Sequence, residues 1–244
     1  TGDGSITAPS AKRVTSKADF NTGATFTGDP AARQVLAGIS VKRTAGGFLH
    51  VNGDAGLDMV LNTLQANMER NPRQDHRTVI VHFAVSQQDQ VDRIKRLGAI
   101  VSVNPYYPIA LADNYRTNGL EPERADSMVR LGDVERAGIP YSLHSDMPMA
   151  PGQPLFLMWS AVNRVTNDGN LRAPEQRVSL LGALSAVTIE AAYSLQLEEH
   201  MGSIEPGKLS NFTVLSDNPH VFEPYASPAW NINARFYCDY HPSF

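Results

Sequence analysis

Gly138-Ile-Pro-Tyr-Ser-Leu-His-Ser-Asp-Met-Pro-Met149 is the stretch whose reading decides the fold. Its apolar, β-favouring run from Ile139 to Leu143 ends in His144, Ser145 and Asp146, and Met147-Pro148 and Ala150-Pro151-Gly152 break any regular structure beyond them. This pattern reads as one strand with polar residues at its tip. In a (β/α) barrel the loops after the strands form the mouth, so active-site groups sit at the C-terminal strand ends. Taken alone, Asp146 serves equally well as a turn or helix-capping residue.

Working outward, the same arrangement recurs upstream. Gly47 to Val51 reads as a strand carrying His50, and after Asn52-Gly53-Asp54 the residues Leu57, Val60, Leu61, Leu64 and Met68 keep the rhythm of an amphipathic helix up to Asn71-Pro72. Thr78 to Val81 is a β-branched run ending at His82; Ser86 is expected to cap a helix bearing Val91, Ile94 and Leu97, which Gly98 closes. Ala99 to Val103 is the next strand, ending in Asn104-Pro105-Tyr106-Tyr107, with a polar loop to about Pro122 and a helix from Ala125 to Ala137. Short strands, apolar on both faces and alternating with helices, point to a parallel sheet covered by helices.

The flanks are simpler. Residues 1–34 read mostly as loop, and Ala32 to Ser40 as a short helix. Downstream, Pro154 to Val165 is expected to be helical, Val178 to about Leu197 to form one or two helices with Thr188 capping the second, and Phe212 to Leu215 and Ile232 to Tyr240 to be strands outside the β/α rhythm. The division expected is a β/α unit over 1–200 and a small β element over 201–244.

The 244 residues suffice for one large α/β domain or two modest ones, and 42% hydrophobic with 19% charged is ordinary globular composition. A net charge of -4 with scattered Lys and Arg argues against a nucleic-acid surface. No membrane-spanning run is present in the sequence. One cysteine, Cys238, leaves the redox compartment open.

His50, His82 and Asp146 all fall near the C-terminal ends of strands expected to share one sheet, so they are expected to converge at one mouth. Neutral imidazole and carboxylate are the ligands of a catalytic divalent ion such as Zn²⁺. A carboxylate nearby can move the proton of an activated water, a role open to Asp146 alongside ligation. His144, two residues before Asp146, can point the same way and touch substrate; Tyr106 and Tyr107 can line the pocket. Asp54 is expected to cap its helix rather than orient His50. His76, His200, His220 and His241 are assigned no role.

The segments HVNGDAG (His50 to Gly56), RTVIVHFAVSQQDQVDRIKRLGAIVSVNPYY (Arg77 to Tyr107), SLHSDMPMAP (Ser142 to Pro151) and MGSIEPGKLSNFTVL (Met201 to Leu215) together resemble the amidohydrolase superfamily. Within it they are similar to the branch of N-substituted formamide deformylases and related metal-dependent hydrolases. The resemblance implies a partial (β/α)8 TIM barrel, about strands five to eight with their helices, and a C-terminal β-sandwich element. It implies that His50 and His82 are the metal-binding histidines of the fifth and sixth strands, that Asp146 is the eighth-strand aspartate, and that the substrate is a small amide-type molecule.

Two departures from that family follow. No His-x-His pair of the kind that opens the family's first strand occurs here, and Asp3-Gly4-Ser5 looks like the segment that follows the family's fourth-strand lysine, which would stand just before Thr1. Lys12, Lys17 and Lys42 do not fit that position. The chain is thus expected to correspond to the C-terminal half, to need an N-terminal half or a second copy, and otherwise to be a non-catalytic remnant or interaction protein.

Overall fold

The computed structural model describes residues 47–216 and 218, and the backbone of 234–237. The expected loop over 1–34, the helix over 32–40, Asp3-Gly4-Ser5, Lys12, Lys17, Lys42, Cys238, His220 and His241 lie outside the described residues.

Four short strands, β1 (Phe48–Val51), β2 (Val79–His82), β3 (Ile100–Val103) and β4 (Tyr141–Leu143), form one parallel sheet in sequence order. Each connection carries helix: α1 (Asp54–Arg70) joins β1 to β2, α2 (Gln88–Leu97) joins β2 to β3, and α3 (Tyr106–Asn118), α4 (Glu121–Asp126) and α5 (Leu131–Arg136) join β3 to β4. Such crossovers are what parallel neighbours require. Among the described residues, β1 and β4 each have a strand on one side only.

The sheet sorts its residues by alternation. Leu49, Val51, Ile80, Val101, Val103 and Leu143 join Leu57, Leu61, Val91 and Ile94 of the helices in the main core. Val79, Val81 and Ile100 form a separate cluster, against which Tyr193 packs. α1 buries the expected Leu57, Val60, Leu61 and Leu64. α2 ends at Gly98, whose φ of 70° and N–H bonds to the last carbonyls make a left-handed helix stop that glycine adopts without steric cost. Its start differs from expectation. Gln87, not Ser86, is the cap residue, through a reciprocal box with Gln90.

The segment read as a polar loop after Tyr107 is instead α3. Asn104 Oδ1 accepts the Tyr106 N–H at 2.9 Å, and Ile109 and Ala112 are buried. Pro108 is tolerated because it stands in the first turn, where no intrahelical donor is lost. The single helix expected over 125–137 is broken into α4 and α5 by a left-handed Val129 (φ 53°). Arg164, fully buried, grips that break: its Nη1 donates to the Val129 carbonyl at 3.0 Å, and its Nη2 to those of Asp126 and Met128 at 2.8 Å. Burial pushes the guanidinium down to about 10, so it stays charged at neutral pH.

After β4 come α6 (Pro154–Asn163), a 3₁₀ turn (Pro174–Gln176), α7 (Leu180–Ala186) and α8 (Ile189–Ser194). The expected helical region over 178–197 is therefore two helices. Thr188 holds the cap position of α8, but its hydroxyl donates back to Leu184 O at 2.7 Å instead of capping. β5 (Phe212–Leu215) and β6 (Ala234–Tyr237) pair antiparallel in a second sheet.

Candidate active site

The C-terminal ends of β1, β2 and β4 and the start of α3, after β3, bring three imidazoles, a carboxylate and the Tyr107 phenol together. His50 Nδ1 lies 3.0 Å from His82 Nε2, and the two rings meet edge to face at 4.7 Å. The other His82 nitrogen, Nδ1, faces Tyr107 Oη at 3.1 Å, His144 Nε2 at 3.3 Å and Asp146 Oδ2 at 4.0 Å. Tyr107 Oη is 3.4 Å from that same carboxylate oxygen, and His144 Nδ1 is held by Ser102 Oγ at 3.0 Å.

Strand alternation alone does not produce this cluster. His50 aligns with Val81 and Ser102 across the sheet, and His144, two residues beyond Ser142 in the same row, keeps that face. His82 instead aligns with Val51 and Val103, whose side chains belong to the helix-side core. Its imidazole reaches the His50 face because the backbone turns left-handed at His82 (φ 75°) and again at Phe83 (φ 50°). Left-handed backbone costs an L-residue roughly 1–2 kcal/mol, so two in succession must be held by their surroundings. Asp146 is also left-handed (φ 52°) and stands in the turn three residues past β4, with a half-exposed carboxylate, rather than on the strand tip.

Burial pushes the His82 imidazole down to about 4, with Asp146 opposing and His50 adding to the fall. The same cause, reinforced by His82 and His50, takes His144 to about 3. Both rings are neutral near pH 7, the form in which imidazole ligates a metal. Burial, then Asp146, raises the Tyr107 phenol, which stays a protonated donor.

The three-ligand set expected from the sequence is not assembled around one point. His50 and Asp146 address opposite nitrogens of the His82 ring. Among the described residues no three His, Cys, Asp or Glu side chains are arranged to hold one ion. What the structure offers is a pair of imidazole nitrogens, His50 Nδ1 and His82 Nε2, with the carboxylate and phenol on the far side of His82. As a donor set, two imidazole nitrogens with a carboxylate across the His82 ring suit a divalent transition ion.

The lesser candidates separate clearly. Tyr107 is buried and contacts the cluster; Tyr106 lies against Phe156, ring centres 5.6 Å apart. Asp54 is not the cap residue of α1, which is Gly53. It is fully buried, and its Oδ2 accepts from Gln87 Nε2 and Arg124 Nη2, each at 2.8 Å. His76 is a buried structural residue, bonded to Thr78 Oγ1 and Leu97 O at 2.7 Å each. Sequence reasoning missed Ser102 and Arg124. Ser102 could have been found, since it shares a row with Ser142; nothing local marks Arg124, 70 residues from Asp54.

Comparison with known proteins decides the family. A model described as "Amidohydrolase family" matches residues 8–228. This chain belongs to the amidohydrolase family. The amidohydrolase chain is 32% identical over 172 residues to Protein LONG AFTER FAR-RED 3 of Arabidopsis thaliana, an alignment covering 70% of this chain and 29% of that protein. It is 28% identical over 171 residues to the N-substituted formamide deformylase of Arthrobacter pascens, covering 70% of this chain and 31% of the relative. It thus spans about a third of the length of the curated relatives it matches. Among solved structures, an uncharacterized metal-dependent hydrolase from Pyrococcus furiosus superposes with a TM-score of 0.55 at 25% identity, over 67% of this chain and 31% of that one. One from Pyrococcus horikoshii gives 0.56 at 24%, over 67% and 32%. The four parallel β/α units of this amidohydrolase are a partial (β/α)8 TIM barrel.

Proposed function

We propose that this chain is the C-terminal part of a metal-dependent hydrolase of carbon–nitrogen, amide-type bonds, in which His50 and His82 hold a divalent ion, zinc by preference. The observation that carries the reading is the imidazole pair: two ring nitrogens, His50 Nδ1 and His82 Nε2, 3.0 Å apart at a barrel mouth, with the Asp146 carboxylate on the far side of the His82 ring. The name of one relative, an N-substituted formamide deformylase, and the description of the Pyrococcus furiosus structure as a metal-dependent hydrolase support it. A bound ion would polarise the substrate carbonyl and lower the pKa of a water. Asp146, half exposed at the mouth across the His82 ring from the imidazole pair, would be the group to take the water proton and return it to the departing nitrogen. Tyr107 holds that carboxylate in place and, with its pKa raised, donates without losing its own proton. His144, anchored by Ser102, faces the same space and is the candidate for contact with a small-molecule substrate.

A second reading is a non-catalytic remnant or interaction protein. It is favoured by the His82 ring dividing itself between His50 and Asp146, which leaves no three-group ion site among the described residues. On either reading we propose that 1–200 and 201–244 are the two structural parts, and that the sides of β1 and β4 with no strand neighbour among the described residues associate with the rest of a barrel or with a second copy. The test is to load the protein with zinc and assay N-formyl and aryl-amide substrates. Hydrolysis abolished by Asp146→Ala supports the hydrolase. Stoichiometric zinc without turnover, even with the preceding part of the barrel supplied, supports the remnant.

A further inference from the structure

We propose that Asp54 and Arg130 are positioning residues that hold the segment after β2, so that His82 keeps its left-handed backbone and presents its imidazole to His50. The inference deepens the proposed ion site and rests on that reading for its functional meaning. Asp54 follows His50 by four residues and Gln87 follows His82 by five, so the Asp54–Gln87 bond ties the loops after β1 and β2 directly to each other. Arg124 Nη2 fixes the same carboxylate oxygen, and Gln90 Nε2 donates to the Asp54 carbonyl at 2.7 Å. From the other side, Arg130 Nε donates to Ser86 O at 3.0 Å, and the N–H of its neighbour Val129 to Ala84 O at 2.9 Å.

Residues 84–87 are therefore gripped at Ala84, Ser86 and Gln87, immediately after the two left-handed residues. The grip is needed. The extended backbone preferred by a strand residue would return the His82 side chain to the row of Val51 and Val103, away from His50. A residue that only stapled the fold would change stability and leave the ring contact intact in any variant that still folds.

The experiment reads ring geometry without metal and metal affinity separately. In the full chain with labelled histidines, wild-type protein should give a nuclear Overhauser contact between the ring protons of His50 and His82, whose centres are 4.7 Å apart. Asp54→Ala and Arg130→Ala, shown folded by circular dichroism, should lose that contact and bind zinc roughly 10–100-fold more weakly, the usual scale for removing support behind a ligand. Asp54→Asn, which keeps an oxygen for Gln87, should retain the contact. Arg130→Ala breaks contacts of a partly exposed side chain and serves if Asp54→Ala does not fold. Persistence of the ring contact in folded alanine variants would overturn the inference. Wild-type protein with the contact but without zinc affinity would sink the ion reading alone.

Discussion

The two ends of β2 carry the same kinds of residue and use them differently. Before the strand stand Asp75, His76 and Arg77; at its end stand His82, its last residue, and Phe83. Backbone is left-handed at both ends, at Asp75 and Arg77 (φ 49° each) as at His82 and Phe83. At the entering end every group has a complementary partner. Both His76 nitrogens bond to neutral protein oxygens. Arg77 lies over the Tyr193 ring and bonds to Asp75, to Glu198 at 2.6 Å and to the Tyr193 carbonyl at 2.5 Å. At the leaving end His82 is flanked by two further imidazoles besides Tyr107 and Asp146, and burial, with His50 adding to it, pushes its pKa down. The difference teaches that left-handed backbone and buried histidine do not by themselves mark a site. Mutually facing groups that would all prefer a cation or proton between them do.

The comparison breaks if the two ends respond alike to substitution, and the largest expected contrast is in metal binding. His82→Ala should weaken zinc binding by more than ~100-fold, beyond what losing an outer partner costs, whereas Arg77→Ala should leave it unchanged; isothermal titration calorimetry of both variants decides. Next comes stability in denaturant. Arg77→Gly removes buried charge-assisted bonds and should cost about 2 kcal/mol. His82→Gly relieves a left-handed residue by about 1 kcal/mol, which offsets part of the cost of the lost buried ring, so it should cost less than Arg77→Gly at the same backbone conformation.

The smallest effect is acid sensitivity at the entering end. Arg77, chiefly by hydrogen bonding, holds the Asp75 and Glu198 carboxyls below their ordinary values. Groups depressed in this way add stability that is present above their unfolded pKa and lost as pH falls through the folded one. Wild-type stability should therefore decline as pH drops below about 4, and Arg77→Ala should flatten the decline in that window. An unchanged profile in the variant would show that exposure of Asp75, about half of its side chain, screens the pairing away.

Much of this was legible in the residues. The short strand carrying His50, the β-branched run ending at His82, the α1 periodicity and the strand before Asp146 gave the parallel β/α order. Two things were hidden. α3 was masked by Pro105, Pro108 and two tyrosines, which read as loop but act as a first helical turn. The face of His82 was masked more deeply, because counting by twos places it with Val51 and Val103. Only the left-handed turn, held from Asp54 and Arg130, brings it to His50. Three residues can all lie near strand ends and still not address one point, which is how His50 and Asp146 come to flank opposite edges of one imidazole.

The central claim is that His50 and His82 hold one divalent ion, and X-ray absorption at the zinc edge of protein loaded with one equivalent of zinc tests it most directly. The account predicts a first shell with two imidazole nitrogens at about 2.0–2.1 Å, reduced to one in His50→Ala. A shell of oxygens alone, or one unchanged by that substitution, would contradict it.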